Sequence, residues 1–177
     1  MVAKIINQDD PIGSHMNSEL YEAIKNGELI LFLGAGASRE CTDRSGSKLL
    51  DGGALAKSLA ELAHYEYDGE PLDEVYAAVR TKLASRLNAF LESLFRDAQP
   101  SQEYRDLATF AWRRIYTLNI DDALEAAIRR SCVQKLHVRV LGDSVADRDN
   151  FFDRLDLVKL NGSVDQLNSG IIFSSSE

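Results

Sequence analysis

The sequence predicts an α/β fold, Rossmann-like and doubly wound, in which a mainly parallel sheet carries flanking helices. Three observations predict it. Short apolar runs of strand length alternate with longer stretches of helical spacing, the pattern of a sheet built from strand–helix–strand units. The first run, residues 29–33, is continuously apolar, as a strand covered on both faces would be. It stops at a turn of small residues, Gly34-Ala35-Gly36-Ala37-Ser38, at the kind of strand end where open α/β sheets hold ligands.

The elements follow in order. Asn17 and Ser18 offer a cap to a short helix carrying Leu20 and Ile24, and Gly27 ends it. Beyond the first strand and its turn, residues 39–53 are polar, contain Gly46, Gly52 and Gly53, and read as a mobile loop. A helical pattern begins at Ala54 with Leu55, Leu59 and Leu62, and breaks over residues 65–69. Pro71 suits the first turn of a long helix whose apolar face runs through Val75, Val79, Leu83, Leu87, Phe90, Leu91 and Leu94. Pro100-Ser101 separates it from a shorter helix with Tyr104, Leu107, Ala108 and Ala111. Residues 115–118 form the second strand, Asp121 sits where a helix cap would, and residues 123–130 are helical in type. Strands are expected at 133–141 and 157–160, with 171–173 as one more.

Bulk properties bound the function. The 177 residues, 45% apolar and 27% charged, suffice for one core. No apolar run approaches the ~20 residues of a membrane helix, and the start shows no secretory signal, so a cytoplasmic protein without a membrane partner is expected. Gly13-Ser14-His15-Met16 has the look of a cloning junction. Residues 1–15 therefore read as vector-derived, and 16–177 as the domain, truncated at its C-terminus. Without that segment 19 basic and 26 acidic residues remain, taking the net charge from −8 to −7. Such a surface repels nucleic acid and offers no basic stripe to overcome the repulsion. Cys41 and Cys132 lack any paired spacing, so no zinc or other metal site is expected, and two free thiols suit a reducing compartment. His15 belongs to the junction, and His64 and His137 lie in no motif.

Three polar segments fall at carboxyl ends of expected strands. At the first, Gly34 and Gly36 can take positive φ and let a ligand approach the backbone. The N–H groups there would cradle a pyrophosphate, with the Ser38 hydroxyl added. The dinucleotide pattern G-x-G-x-x-G is incomplete, because Arg39 takes its third glycine position, and no Gly-Lys-Ser/Thr follows for a nucleoside triphosphate. The second segment is Thr117-Leu118-Asn119-Ile120-Asp121-Asp122, and the third Lys159-Leu160-Asn161-Gly162-Ser163. Each also has a local explanation: Asn119 as a turn residue, Asp121 as a cap, Asn161-Gly162 as a turn dipeptide.

Together these segments resemble the sirtuin-like superfamily, whose patterns are a Gly-Ala-Gly-x-Ser loop, a Thr-x-Asn-x-Asp strand end and a Lys-x-His-Gly-Ser turn, in that order. The resemblance spans nearly all of residues 28–173. Asp51-Gly52-Gly53-Ala54-Leu55-Ala56 looks like the Gly-rich helix entry of the bacterial branch, which includes NAD-hydrolysing effectors of antiphage defence. The resemblance implies NAD or ADP-ribose as ligand, with Gly34, Ala35, Gly36 and Ser38 at the phosphates and Asp121 at the nicotinamide amide. Ser163 would add a further contact, and Asn119 would position the nicotinamide ribose or an attacking water. It also implies further domains and a homo-oligomer.

Two departures bear on chemistry. The paired cysteines of the deacylating sirtuins' zinc module are missing, which points to water as acceptor. Asn161 stands where the family has its catalytic His, whether by nature or by engineered substitution. A histidine can take a proton near neutral pH, whereas Asn161 can only donate and accept hydrogen bonds. The expected functions are thus an NAD glycohydrolase weakened at Asn161, or a module that senses NAD or ADP-ribose and controls a larger assembly. A Rossmann oxidoreductase would need a third loop glycine and a ribose-binding acid, neither of which is evident.

Overall fold

The computed structural model describes residues 17–140, 142–144 and 152–173. Four strands, β1 (Ile30–Leu33), β2 (Arg114–Thr117), β3 (Lys135–Val140) and β4 (Arg154–Lys159), form one sheet in the order β1-β2-β4-β3. All neighbours run parallel. The fold is the Rossmann-like α/β arrangement that the strand–helix alternation predicts. The expected vector-derived segment lies outside the described residues.

Among the described residues six helices accompany the sheet: α1 (Ser18–Lys25), α2 (Gly52–Leu62), α3 (Leu72–Leu83), α4 (Ser85–Phe95), α5 (Gln102–Leu107) and α6 (Ala123–Ser131). Asn17 caps α1 by accepting the Glu19 N–H, and Gly27 leaves it at φ +65°. Asp51 caps α2 through the Ala54 N–H, and Ser101 caps α5 through that of Tyr104. Helix spacing gives each long helix one apolar stripe. Leu55 and Leu59 of α2, Val75 and Val79 of α3, Leu91 and Phe95 of α4, and Leu124 and Ile128 of α6 meet Ile115, Leu155 and Leu157 of the sheet in a single core. Each fully buried leucine there contributes about 1.5–3 kcal/mol.

Four expectations change. The single helix expected after Pro71 is two, because Ala84 turns to φ +47°. The apolar spacing of four runs unbroken from Leu83 to Leu87, so the pattern hides the bend. Its cause is tertiary, since α3 packs on α2 while α4 packs on the 3₁₀ segment Val164–Ser169. Residues 39–50 are tied down rather than loose. Thr42 pairs with Lys48 and Gln99, and the Asp43 carboxylate accepts the N–H groups of Ser45 and Ser47. Residues 171–173 form no strand; instead Ile171 enters the core and Phe173 meets Tyr76 edge-on, 4.9 Å between ring centres.

The fourth change concerns β1, which is not covered on both faces. Strand alternation sends Leu31 and Leu33 toward the core and leaves Ile30 54% and Phe32 60% exposed. Their neighbours in register on that face are Arg114, Tyr116 and Asp156, and Asp156 is paired with Arg154 and Arg139. A face lined by these charged groups is not an apolar layer, whatever the composition of β1.

Candidate functional site

The register brings the ends of three strands to one edge. Leu33 of β1, Thr117 of β2 and Lys159 of β4 lie side by side. The ladder runs one step further: Leu118 N–H donates to Leu33 O (3.0 Å) and Leu160 N–H to Thr117 O (2.9 Å). All three polar segments of the sequence therefore start from the same line across the sheet.

At the first, Gly34 is extended (φ −77°, ψ 174°) and the chain turns into the 3₁₀ segment Ala35–Ser38, where Ala37 N–H closes onto Gly34 O at 3.1 Å. Neither Gly34 nor Gly36 has positive φ, so conformational freedom is not what either glycine supplies. Space is: an ideal Cβ at either position would meet no atom within 4 Å. Gly34, Ala35 and Gly36 are exposed, and the leading N–H groups of a 3₁₀ turn have no acceptor inside it.

The second segment locks onto the first. The Asn119 side-chain NH₂ donates to Gly34 O (3.2 Å) and to the Tyr104 hydroxyl (3.1 Å). Tyr104 lies 2.9 Å from Ser38 Oγ, and the Asp121 carboxylate accepts the Ala123 N–H (3.1 Å). Ser38 and Asp121 are each 5% exposed. The Ser38 hydroxyl thus has an internal partner in Tyr104, and Asp121 is buried at the start of α6. Tyr104 is buried on α5; burial first, and then the Asp121 charge, push its hydroxyl far above the usual value, so it keeps its proton.

Beneath this lies a second buried group. Lys159, fully enclosed, donates from Nζ to Ile120 O (3.2 Å), Asp121 O and Glu125 Oε1. Burial raises the carboxyl pKa of both Asp121 and Glu125, and the Lys159 charge opposes it. Glu125 Oε2 is buried without a hydrogen-bond partner among the described residues. The ammonium ties β4 to the carbonyls of residues 120–121, and Val164 N–H adds a bond to Ile120 O at 2.9 Å.

The third segment is held differently. Asn161 O accepts the Ile172 N–H (3.0 Å), and the next residue, Gly162, has φ +92°. A Cβ on Gly162 would stand 2.7 Å from Gly170 O, so here the glycine is required for both space and conformation. Ser163 is buried and its hydroxyl accepts the Asp165 N–H (3.3 Å), capping the 3₁₀ segment Val164–Ser169. Among the described residues no hydrogen bond joins Asn161 or Ser163 to the Gly34–Asn119–Asp121 group. The sequence reading assigned no role to Tyr104, Lys159 or Glu125. Only Lys159 left a signal, as a cation inside an apolar strand that must find a partner.

The sequence matches no known protein-family model and no curated protein. The resemblance to the sirtuin-like superfamily therefore stands on the three motifs themselves. Among the described residues no three His, Cys, Asp or Glu side chains gather as a metal site; Cys41 lies in the core and Cys132 is exposed beyond α6. No helix of the described residues is long and apolar enough to cross a membrane.

Proposed function

We propose that this chain binds NAD through its ADP-ribose part at the Gly34–Gly36 turn and cleaves the bond between nicotinamide and ribose with water, as the sirtuin-like NAD glycohydrolases do. The observation that carries the reading is the junction of an open glycine turn with Asn119. The turn leaves space above Gly34 and Gly36, and Asn119 is fixed to the carbonyl of Gly34 itself. That arrangement fits a pyrophosphate approaching the backbone beside a polar group for the adjoining ribose.

In this reading the turn binds the anion and Asn119 orients a ribose hydroxyl or the water. The water oxygen bonds to the ribose carbon as the bond to the nicotinamide nitrogen breaks, and one proton is released. Positioning and electrostatics supply the acceleration, because Asn161 has no basic site to take that proton. Asn161 equally favours a second reading, a module that binds NAD or ADP-ribose without turnover and reports it to a larger assembly.

Nicotinamide release from NAD, followed over time, separates the two. Asn161→His should raise the rate at least about tenfold, within the range of general-base assistance, and Asn119→Ala in that background should abolish the gain. Tight ADP-ribose binding with no cleavage by either form would sink the hydrolase and leave the sensor.

A further inference from the structure

We infer that Tyr104 is a positioning residue that makes Asn119 an acceptor only, so that the ligand atom opposite Asn119 must bring a hydrogen. This rests on the proposed function for the ligand's identity, but not for the polarity of the site.

A side-chain amide has two N–H donors and one carbonyl oxygen. Asn119 directs Nδ2 at two acceptors at once, Gly34 O at 3.2 Å and Tyr104 Oη at 3.1 Å. The opposite orientation of the amide would set Oδ1 against the Gly34 carbonyl, two acceptors face to face, so the backbone oxygen fixes which end points inward. Tyr104 Oη, which accepts from Asn119, also pairs with Ser38 Oγ 2.9 Å away, where either hydroxyl can donate. The contacts run inward from Asn119 through Tyr104 to Ser38. Both N–H donors of the Asn119 amide are engaged, and its Oδ1 is left over. Tyr104 is 1% exposed and Asn119 partly exposed, so the chain begins at the site and ends in the interior.

The consequence is chemical selectivity. An acceptor oxygen repels a phosphate oxygen and attracts a hydroxyl, an amide N–H or a water. At this position the ligand therefore presents a ribose hydroxyl or the reacting water, and its anionic part lies elsewhere. Phenylalanine at 104 would keep the ring in the core but free one Asn119 N–H, letting the amide turn and present a donor.

The side-chain amide protons of Asn119 report this directly by nuclear magnetic resonance, their signal assigned by its loss in Asn119→Asp. Both protons should exchange with water at least about tenfold more slowly than those of the exposed Asn26, and one should lose that protection in Tyr104→Phe. Two labile protons in the unaltered protein, or no change in the variant, would overturn the assignment. The unaltered protein alone decides the matter if the variant does not fold. With NAD as probe in the Asn161→His background, Tyr104→Phe should lower kcat about tenfold with KM changed less than twofold. Equal loss in both, or loss explained by unfolding, would make Tyr104 structural only. If the amide signature holds but ADP-ribose does not bind, the positioning stands and the NAD reading fails.

Discussion

Gly34→Val is the sharpest perturbation of the turn, because the structure separates its effect on the fold from its effect on a ligand. Gly34 sits at φ −77°, ψ 174°, extended backbone that a β-branched residue adopts without strain. No atom lies within 4 Å of the added Cβ, and the carbonyl that receives Asn119 and the Ala37 N–H is unaltered. The ligand-free variant should therefore match the parent within about 0.5 kcal/mol, the range for exposed substitutions, with a small gain from the stiffer unfolded chain. A ligand that presses its pyrophosphate onto this backbone meets a valine instead. At a hundredfold excess over Kd, ADP-ribose bound only to the folded state adds about 2.7 kcal/mol, a rise in Tm of about 5–11 °C for a domain of this size. A thermal melt with and without ADP-ribose, backed by calorimetry, should show that rise in the parent and none in Gly34→Val. The same rise in both would place the ligand elsewhere. A ligand-free variant destabilised by several kcal/mol would refute the geometry of the turn.

Two further outcomes concern the buried charges. Glu125→Ala strands the Lys159 ammonium and should cost about 3–5 kcal/mol in denaturant unfolding, whereas Glu125→Leu combined with Lys159→Met should recover most of it; equal losses in single and double variants would mean the pair is not coupled. Asp121 is held above its ordinary pKa, first by burial, so the folded chain keeps that proton to higher pH than the unfolded chain. Stability therefore falls as pH rises from about 4 toward the folded value. Asp121→Asn should flatten that fall, with Glu125, raised for the same reason, keeping part of it; an unchanged slope would show that Asp121 does not titrate there.

What the sequence made legible was whatever depends on near neighbours in the chain. The strands β1 and β2 are short runs rich in apolar residues, and the Asn17 cap is a local hydrogen bond, so each could be read in place. The carboxyl edge was legible too, since a parallel sheet puts every strand end that precedes a helix on one side. What escaped the reading depends on distant partners. Tyr104 occupies an ordinary apolar helix position, and only Ser38, 66 residues earlier, and Asn119, 15 later, give its hydroxyl a role. Glu125 lies on α6 like any solvated glutamate until Lys159, 34 residues on, turns out to be buried against it. Ser38 and Asp121 were read as facing a ligand because their spacing matches the motif, and spacing does not say which way a side chain turns. The glycines of the turn were assigned both positive φ and room for a ligand; neither has positive φ, and the room above them is there.

These two layers explain why residues that never meet a ligand should still govern it. The outer layer is bare backbone at Gly34–Gly36 with Asn119 beside it, and it contributes little to folding. The inner layer is buried, with Tyr104 bonded to Ser38 and Asp121 to the Ala123 N–H, beside the Lys159–Glu125 pair whose ammonium holds the carbonyls of residues 120 and 121. Asn119 belongs to both, through the Gly34 carbonyl on one side and the Tyr104 hydroxyl on the other. A change confined to the outer layer, such as Gly34→Val, should alter binding alone. A change at the Lys159–Glu125 pair should alter stability, and binding only as the loop over residues 118–122 loosens. The hydroxyl of Tyr104 is where the two effects separate, because its loss leaves the ring in the core and removes its bonds to Asn119 and Ser38, freeing one Asn119 N–H while the Gly34 carbonyl holds the other.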